Sequence, residues 1–241
     1  MGVYDKAFYS STTKLSLNAA RKILPLVFEI AAPDSVFDFG CGSGAWLAAA
    51  RELGVENVSG IDGPWVDAAS LIIAPAEFQA VDFEKDSFSD IDDVDLALSI
   101  EVLEHLSDET AKRLLSAVAG RAKFILLSVA IPFQGGRNHI NEQWQSYYAG
   151  YLNGLGYVCW DALRPQLWND ASIPFWLKQN LLLFVRDDIA KDFPIPDTRQ
   201  LDVVHPDNYI AKIRKHKSDI ESEKGKRIIK RLRKYIGFGS G

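Results

Sequence analysis

The chain has 241 residues, 47% of them hydrophobic and 24% charged, with a net charge of −5. That balance suits one good-sized α/β domain with appendages, and no apolar run reaches the ~18 residues of a membrane span. The opening Met1-Gly2-Val3-Tyr4-Asp5-Lys6 lacks the order of an export signal, and Cys41 and Cys159 form no metal or redox spacing, so a cytoplasmic location is expected.

Residues 1–14 are polar and rich in Ser and Thr, and read as an arm or lid. Leu17, Ala20, Ile23, Leu24, Val27 and Phe28 recur at helical spacing, which predicts a helix over 15–30 ended by Pro33-Asp34. A strand follows at 35–39, a helix at 44–53 and a strand at 57–62. Short strands are expected at 78–82 and, almost wholly apolar, at 94–100. A helix through about Gly120 leads to an apolar strand over 124–131. A long polar loop, Pro132 to Trp144, precedes a helix over 144–155 and two late strands, Tyr157–Ala162 and Asn180–Arg186. Strand and helix alternation closed by a late strand pair predicts a doubly wound α/β sheet with an antiparallel edge.

Charge is uneven. Residues 212–234 hold eleven Lys/Arg against Asp219, Glu221 and Glu223, a net of +8, which leaves −13 on the rest of the chain. Ile210, Ile213, Ile220, Ile228, Ile229, Leu232 and Ile236 are interleaved at roughly helical spacing, so a basic amphipathic helical tail is expected. Its candidate partners are anionic lipid at the inner membrane face, a phosphorylated acceptor, a partner subunit or, less favoured, nucleic acid; a solvated helix with no charged partner is the plain alternative. The expected organisation is an arm over 1–14, a domain over 15–190, a linker over 191–208 and a tail over 209–241.

The chemistry begins at Val36-Phe37-Asp38-Phe39-Gly40-Cys41-Gly42-Ser43-Gly44-Ala45-Trp46. A buried strand enters a glycine turn and then a helix, so backbone N–H groups border a pocket where a ligand can approach. Asp62-Gly63 ends the next strand, 18 residues past Gly44, where a carboxylate can accept from both hydroxyls of a ribose. The turn reads Gly-Cys-Gly-Ser-Gly, unlike the dinucleotide pattern. Over about residues 15–187 the chain resembles the class I S-adenosylmethionine (SAM)-dependent methyltransferases.

That resemblance implies a Rossmann-like, seven-stranded, mostly parallel sheet with an antiparallel last strand, and SAM as cofactor. It places the cofactor over Asp38, Gly40, Cys41, Gly42, Gly44, Trp46, Asp62 and Gly63. Asp38 would hold the amino-acid end of SAM or brace the turn. Asp82-Phe83 would meet the adenine, and Ser99 and Glu101 at the end of the fourth strand would lie near the methionine moiety.

Ser99-Ile100-Glu101-Val102-Leu103-Glu104-His105-Leu106 enters the next predicted helix. There Glu101, Glu104 and His105 would share one face. One reading leaves them packed and locally paired. The other has Glu101, Glu104 and His105, with His139 as fourth ligand, hold a divalent cation (Mg or Mn). The pattern resembles metal-dependent O-methyltransferases of the ubiquinone pathway and small-RNA 2′-O-methyltransferases.

In the loop, Arg137-Asn138-His139-Ile140-Asn141-Glu142 concentrates polar groups, and His139 is the candidate general base, with Glu101 and His105 as catalytic neighbours. A loop merely pinned by hydrogen bonds is the alternative. This stretch, with 162–170 and 176–180, resembles bacterial methyltransferases found with glycan-assembly enzymes, which suggests a sugar hydroxyl as acceptor. The rival functions are RNA 2′-O-methylation, which the acidic core opposes, and a SAM-binding scaffold without catalysis.

Overall fold

In the computed structural model of the chain, residues 6–87, 92–196 and 200–236 are described. They fall into two units, 1–203 and 204–241.

The first unit opens with α1 (Lys6–Ala31), β1 (Ser35–Phe39), α2 (Ala45–Glu52), β2 (Asn57–Asp62) and β3 (Phe78–Ala80). β4 (Val94–Ile100), α3 (Asp108–Val118), β5 (Ala122–Ser128), α4 (Gln145–Gly154) and β6 (Tyr157–Trp160) follow. It closes with the short helices α5 (Arg164–Leu167) and α6 (Phe175–Asn180), β7 (Leu182–Arg186) and α7 (Asp187–Ala190). The second unit carries α8 (Pro206–Glu221) and α9 (Glu223–Ile236). No described helix is long and apolar enough to cross a membrane.

The sheet order is β3-β2-β1-β4-β5-β7-β6. β1 to β5 pair in parallel, and β7 runs antiparallel to both β5 and β6. This is the expected Rossmann-like arrangement. Side chains alternate across it. Leu96, Leu98, Phe124 and Leu126 pack under α1 and α2, while Ala97, Ile125 and Leu127 pack under α3 and α4. Burial on both faces explains why β4 and β5 read as unbroken apolar runs. Strand order reverses between β1 and β4, which opens a crevice at their carboxyl ends.

Two expectations change. Residues 6–14 are not a separate arm: they continue α1, and residues 1–5 lie outside the described part. The helix after β4 does not start at Glu101. Glu101 takes a left-handed φ of 56°, Leu103–His105 form a single 3-10 turn, and α3 begins only at Asp108, capped by the Ser107 hydroxyl on the Thr110 amide. In the same way α8 begins at Pro206, inside the segment expected as linker.

Candidate active site

The glycine turn sits at the crevice. Gly40, Gly42 and Gly44 all have left-handed φ values of 78°, 55° and 82°. They differ in what a side chain would meet. A Cβ on Gly40 would fall 2.4 Å from Val102, whereas one on Gly42 would meet nothing within 4 Å. Gly42 therefore leaves open space above the turn, and that space is a cavity of about 340 Å³.

Asp62 fastens the turn from the next strand. Its carboxylate accepts the Gly42 amide at 2.7 Å and the Gly63 amide at 2.6 Å. Burial raises its pKa, and the two amides pull it back down. Asp38 lies buried behind the turn. Burial, and then the charge of Asp62, hold its carboxyl well above the usual range. Burial likewise raises the Cys41 thiol, so Cys41 is an inert small residue of the turn.

Of the residues expected at the cofactor, Gly40, Cys41, Gly42, Trp46, Asp62 and Glu101 line the cavity. Asp38, Gly44, Gly63, Asp82, Phe83 and Ser99 are not among its lining residues. Gly44 backs onto Ile73, Gly63 lies under the Trp65 ring, and Ser99 is buried. Asp82 turns to Lys85 at 2.5 Å, which lowers its pKa, and Phe83 is sealed in the core with Ile61 and Val81.

Two further walls come from outside the expected cofactor residues. Thr12 and Thr13 of α1 close one side, with the Thr13 hydroxyl 2.7 Å from that of Ser43 in the turn. Pro174, Trp176 and Leu177 close another.

Glu101 has a positive φ and a 3-10 turn follows, so Glu101, Glu104 and His105 do not form one helical face, although the Glu101 carboxyl stays beside that of Glu104. The Glu101 carboxylate accepts from Ser128 Oγ at 2.5 Å, Asn180 Nδ2 at 3.1 Å and Gln134 Nε2 at 3.4 Å. Gln179 extends this network by donating to Gln134 and Asn180 at 2.9 Å each. These amides are buried, and they join two stretches that had stood out in the sequence, the 132–144 loop and 176–180.

Glu104, His105 and His139 do converge. Each offers a ligand atom within 4.8 Å of the others. Glu101 is outside this trio, so the four-ligand set expected from the sequence is reduced to three. Glu104 is fully buried and neither carboxylate oxygen has a hydrogen bond of good geometry. Burial and the Glu101 carboxyl raise its pKa well above the usual range, against smaller lowering effects from nearby backbone.

His105 and His139 meet edge to face with centroids 4.8 Å apart. His105 lines the cavity, whereas His139 is not among its lining residues. Burial, then the neighbouring His139, lower the His105 pKa, and a hydrogen bond to the Asn138 backbone opposes them. His139 is held from outside: Nδ1 lies 3.0 Å from Glu142 Oε1, which also accepts the Gly135 amide at 2.6 Å. The loop itself is pinned to the 3-10 turn by the Ile140 and Asn141 amides, both donated to the Glu104 carbonyl.

A family model described as a methyltransferase domain matches residues 12–161, more than half of the chain. The chain belongs to this methyltransferase family. No curated protein matches it. Among solved structures it is similar to the human N-acetylserotonin methyltransferase in complex with SAM, at 18% identity and a TM-score of 0.50. That match covers 74% of this chain and only 55% of the human enzyme, so the chain spans about half of its length. It is also similar to the magnesium protoporphyrin IX methyltransferase of Synechocystis with bound SAH, at 14% identity, TM-score 0.51, covering 77% of this chain and 90% of the other. A third is the plantazolicin methyltransferase BpumL in complex with a pentazolic desmethylPZN analog and SAH, at 17% identity, TM-score 0.50, with coverages of 77% and 92%. At these identities the likenesses show the shared class I methyltransferase fold, as the glycine turn had implied.

Proposed function

We propose that this methyltransferase-family chain transfers the methyl group of SAM to a hydroxyl oxygen, with a sugar of a glycan or nucleotide-sugar as acceptor. The observation that carries the reading is the cavity between β1 and β4, floored by Gly40–Gly42 and Asp62 and lined on the reaction side by Glu101 and His105. The cofactor supplies a methyl group on a sulfonium, which is already a good leaving group.

The residues supply position and a proton acceptor. The open space at Gly42 and the carboxylate of Asp62 receive the nucleoside, and Glu101, fixed by Ser128, Asn180 and Gln134, meets the cationic amino-acid end. His105 takes the acceptor proton: it faces the cavity and lies edge to face with His139. The acceptor oxygen forms its bond to the methyl carbon as the carbon–sulfur bond breaks. The electron pair stays on sulfur, giving S-adenosylhomocysteine (SAH), and the proton resides on His105. The role first expected of His139 thus passes to His105, with His139 packed behind it. Trp65 and Trp176 on the cavity wall suit stacking on a sugar face, which supports a carbohydrate acceptor.

A second reading adds a divalent cation. The buried Glu104 carboxylate, whose oxygens make no hydrogen bond of good geometry, stands beside two imidazoles; that donor set fits one, and two nitrogen ligands favour Mn over Mg. Glu104, His105 and His139 would hold it, and it would acidify the acceptor hydroxyl.

The test is methyl-labelled SAM incubated with the protein and fractionated cell extract, with and without EDTA. Label in the glycan or nucleotide-sugar fraction supports the proposal, and its loss with EDTA supports the cation. Label in RNA replaces the acceptor. Binding of SAM with no label in any fraction favours a non-catalytic scaffold.

A further inference from the structure

The second unit is built around a sharp corner. Between α8 and α9, Ser222 is extended, with φ −62° and ψ 155°. Its hydroxyl accepts the Gly225 amide at 3.1 Å and donates to the Asp219 carbonyl at 2.7 Å, so it caps α9 on the last turn of α8. A Cβ on Gly225 would lie 2.2 Å from that same carbonyl oxygen. Only glycine lets the helices meet this closely, and the corner sets α9 apart as an element of its own.

α9 is sharply divided. At about 100° per residue, Ile228, Ile229 and Leu232 fall within an arc of roughly 100°, and Lys226, Arg227, Lys230 and Arg231 occupy the opposite side. Ile228 is 49% and Leu232 53% exposed, and the four cations are exposed as well. A helix that read a phosphate backbone alone would need the cations but not an exposed isoleucine and leucine stripe. A bilayer surface with anionic headgroups uses both. The charge is also local, since the +8 of residues 212–234 stands against −13 elsewhere in the chain.

We propose that α9 is a membrane-surface anchor that lies in the headgroup region of an anionic bilayer. Ile228, Ile229 and Leu232 enter the acyl boundary, and Arg227, Lys230 and Arg231 meet lipid phosphates.

The test is co-sedimentation of the full chain with vesicles of phosphatidylcholine alone or mixed with phosphatidylglycerol. The protein pellets with the mixed vesicles only, and salt weakens the binding. Each cation near the surface contributes about fivefold in affinity, so Lys230→Glu with Arg231→Glu lowers binding by more than about tenfold. Ile228→Ser with Leu232→Ser lowers it too, while thermal unfolding of the full chain stays at the wild-type temperature, because both side chains are exposed. Equal pelleting with both vesicles, no pelleting with either, or indifference to the Ile228/Leu232 change overturns the proposal. So does retardation of RNA by a chain that ignores phosphatidylglycerol.

Discussion

The carboxylate of Asp62 reaches from the end of β2 to the amide of Gly42, 2.7 Å away, and so ties the second strand to the turn that follows the first. It accepts the Gly63 amide as well. One side chain thus shapes the cofactor turn and faces the cavity. Asp62→Ala removes both acceptors, and a loss of about 1–3 kcal/mol in stability is expected in denaturant titrations. Affinity for SAH, read by calorimetry, falls at least about tenfold, since the ribose loses its acceptor and the turn its brace.

Gly40 tests packing rather than ligand contact. Gly40→Ala presses a methyl onto Val102 and strains a backbone at φ 78°. It costs about 1–3 kcal/mol from overpacking alone. Val102→Ala in the same chain recovers part of the loss, and the remainder measures the backbone strain. No recovery would show that Val102 is not what glycine accommodates.

In the proposed mechanism His105 takes the acceptor proton and so governs turnover. His105→Ala lowers the methyl-transfer rate by about 10²–10⁴ with SAH affinity changed little. The pH profile follows from its lowered pKa. The neutral ring is the active form, so the rate falls as pH drops and the ring protonates, with a midpoint below the ordinary value of 6.5. Glu142→Gln releases His139 Nδ1 and gives a smaller decrease in rate, because His139 acts on His105 through packing.

Glu104 decides the cation question without an activity assay. Its folded pKa is raised, so its contribution to stability is full below the unfolded value of about 4.5 and is lost as pH rises toward the folded value. In EDTA at neutral pH, Glu104→Gln is therefore more stable than the wild type in thermal unfolding. If Glu104, His105 and His139 bind Mn, added Mn raises the wild-type melting temperature and leaves that of Glu104→Gln unchanged. Equal responses of the two proteins exclude Glu104 as a ligand.

Much of this architecture was legible because apolar runs and glycine turns report local physics. β4 was bounded by its own burial at Val94–Ile100, and β2 by Asn57 and Asp62. The approach to the site was less legible. A period-based reading carries a helix on through Glu101, but that residue adopts φ 56° and is then held by Ser128, Gln134 and Asn180. Those partners arrive from β5, the loop after it and α6, and no local pattern announces such long-range amide contacts. The same holds for Thr13, which reaches Ser43 thirty residues on. Asp82 has the expected spacing, and its carboxylate accepts from Lys85 and the Glu84 amide, a local pairing that spacing alone does not announce.

The most direct measurement is calorimetric titration of SAH into the full chain and into Gly42→Val. Gly42 has no neighbour within 4 Å of its missing Cβ, so a valine there is strained by φ 55° but fills only the cavity. The account predicts one SAH site per wild-type chain and none in a folded Gly42→Val protein. Wild-type binding that survives the substitution unchanged, or a folded wild type that takes up no SAH, would contradict the placement of the cofactor over this turn.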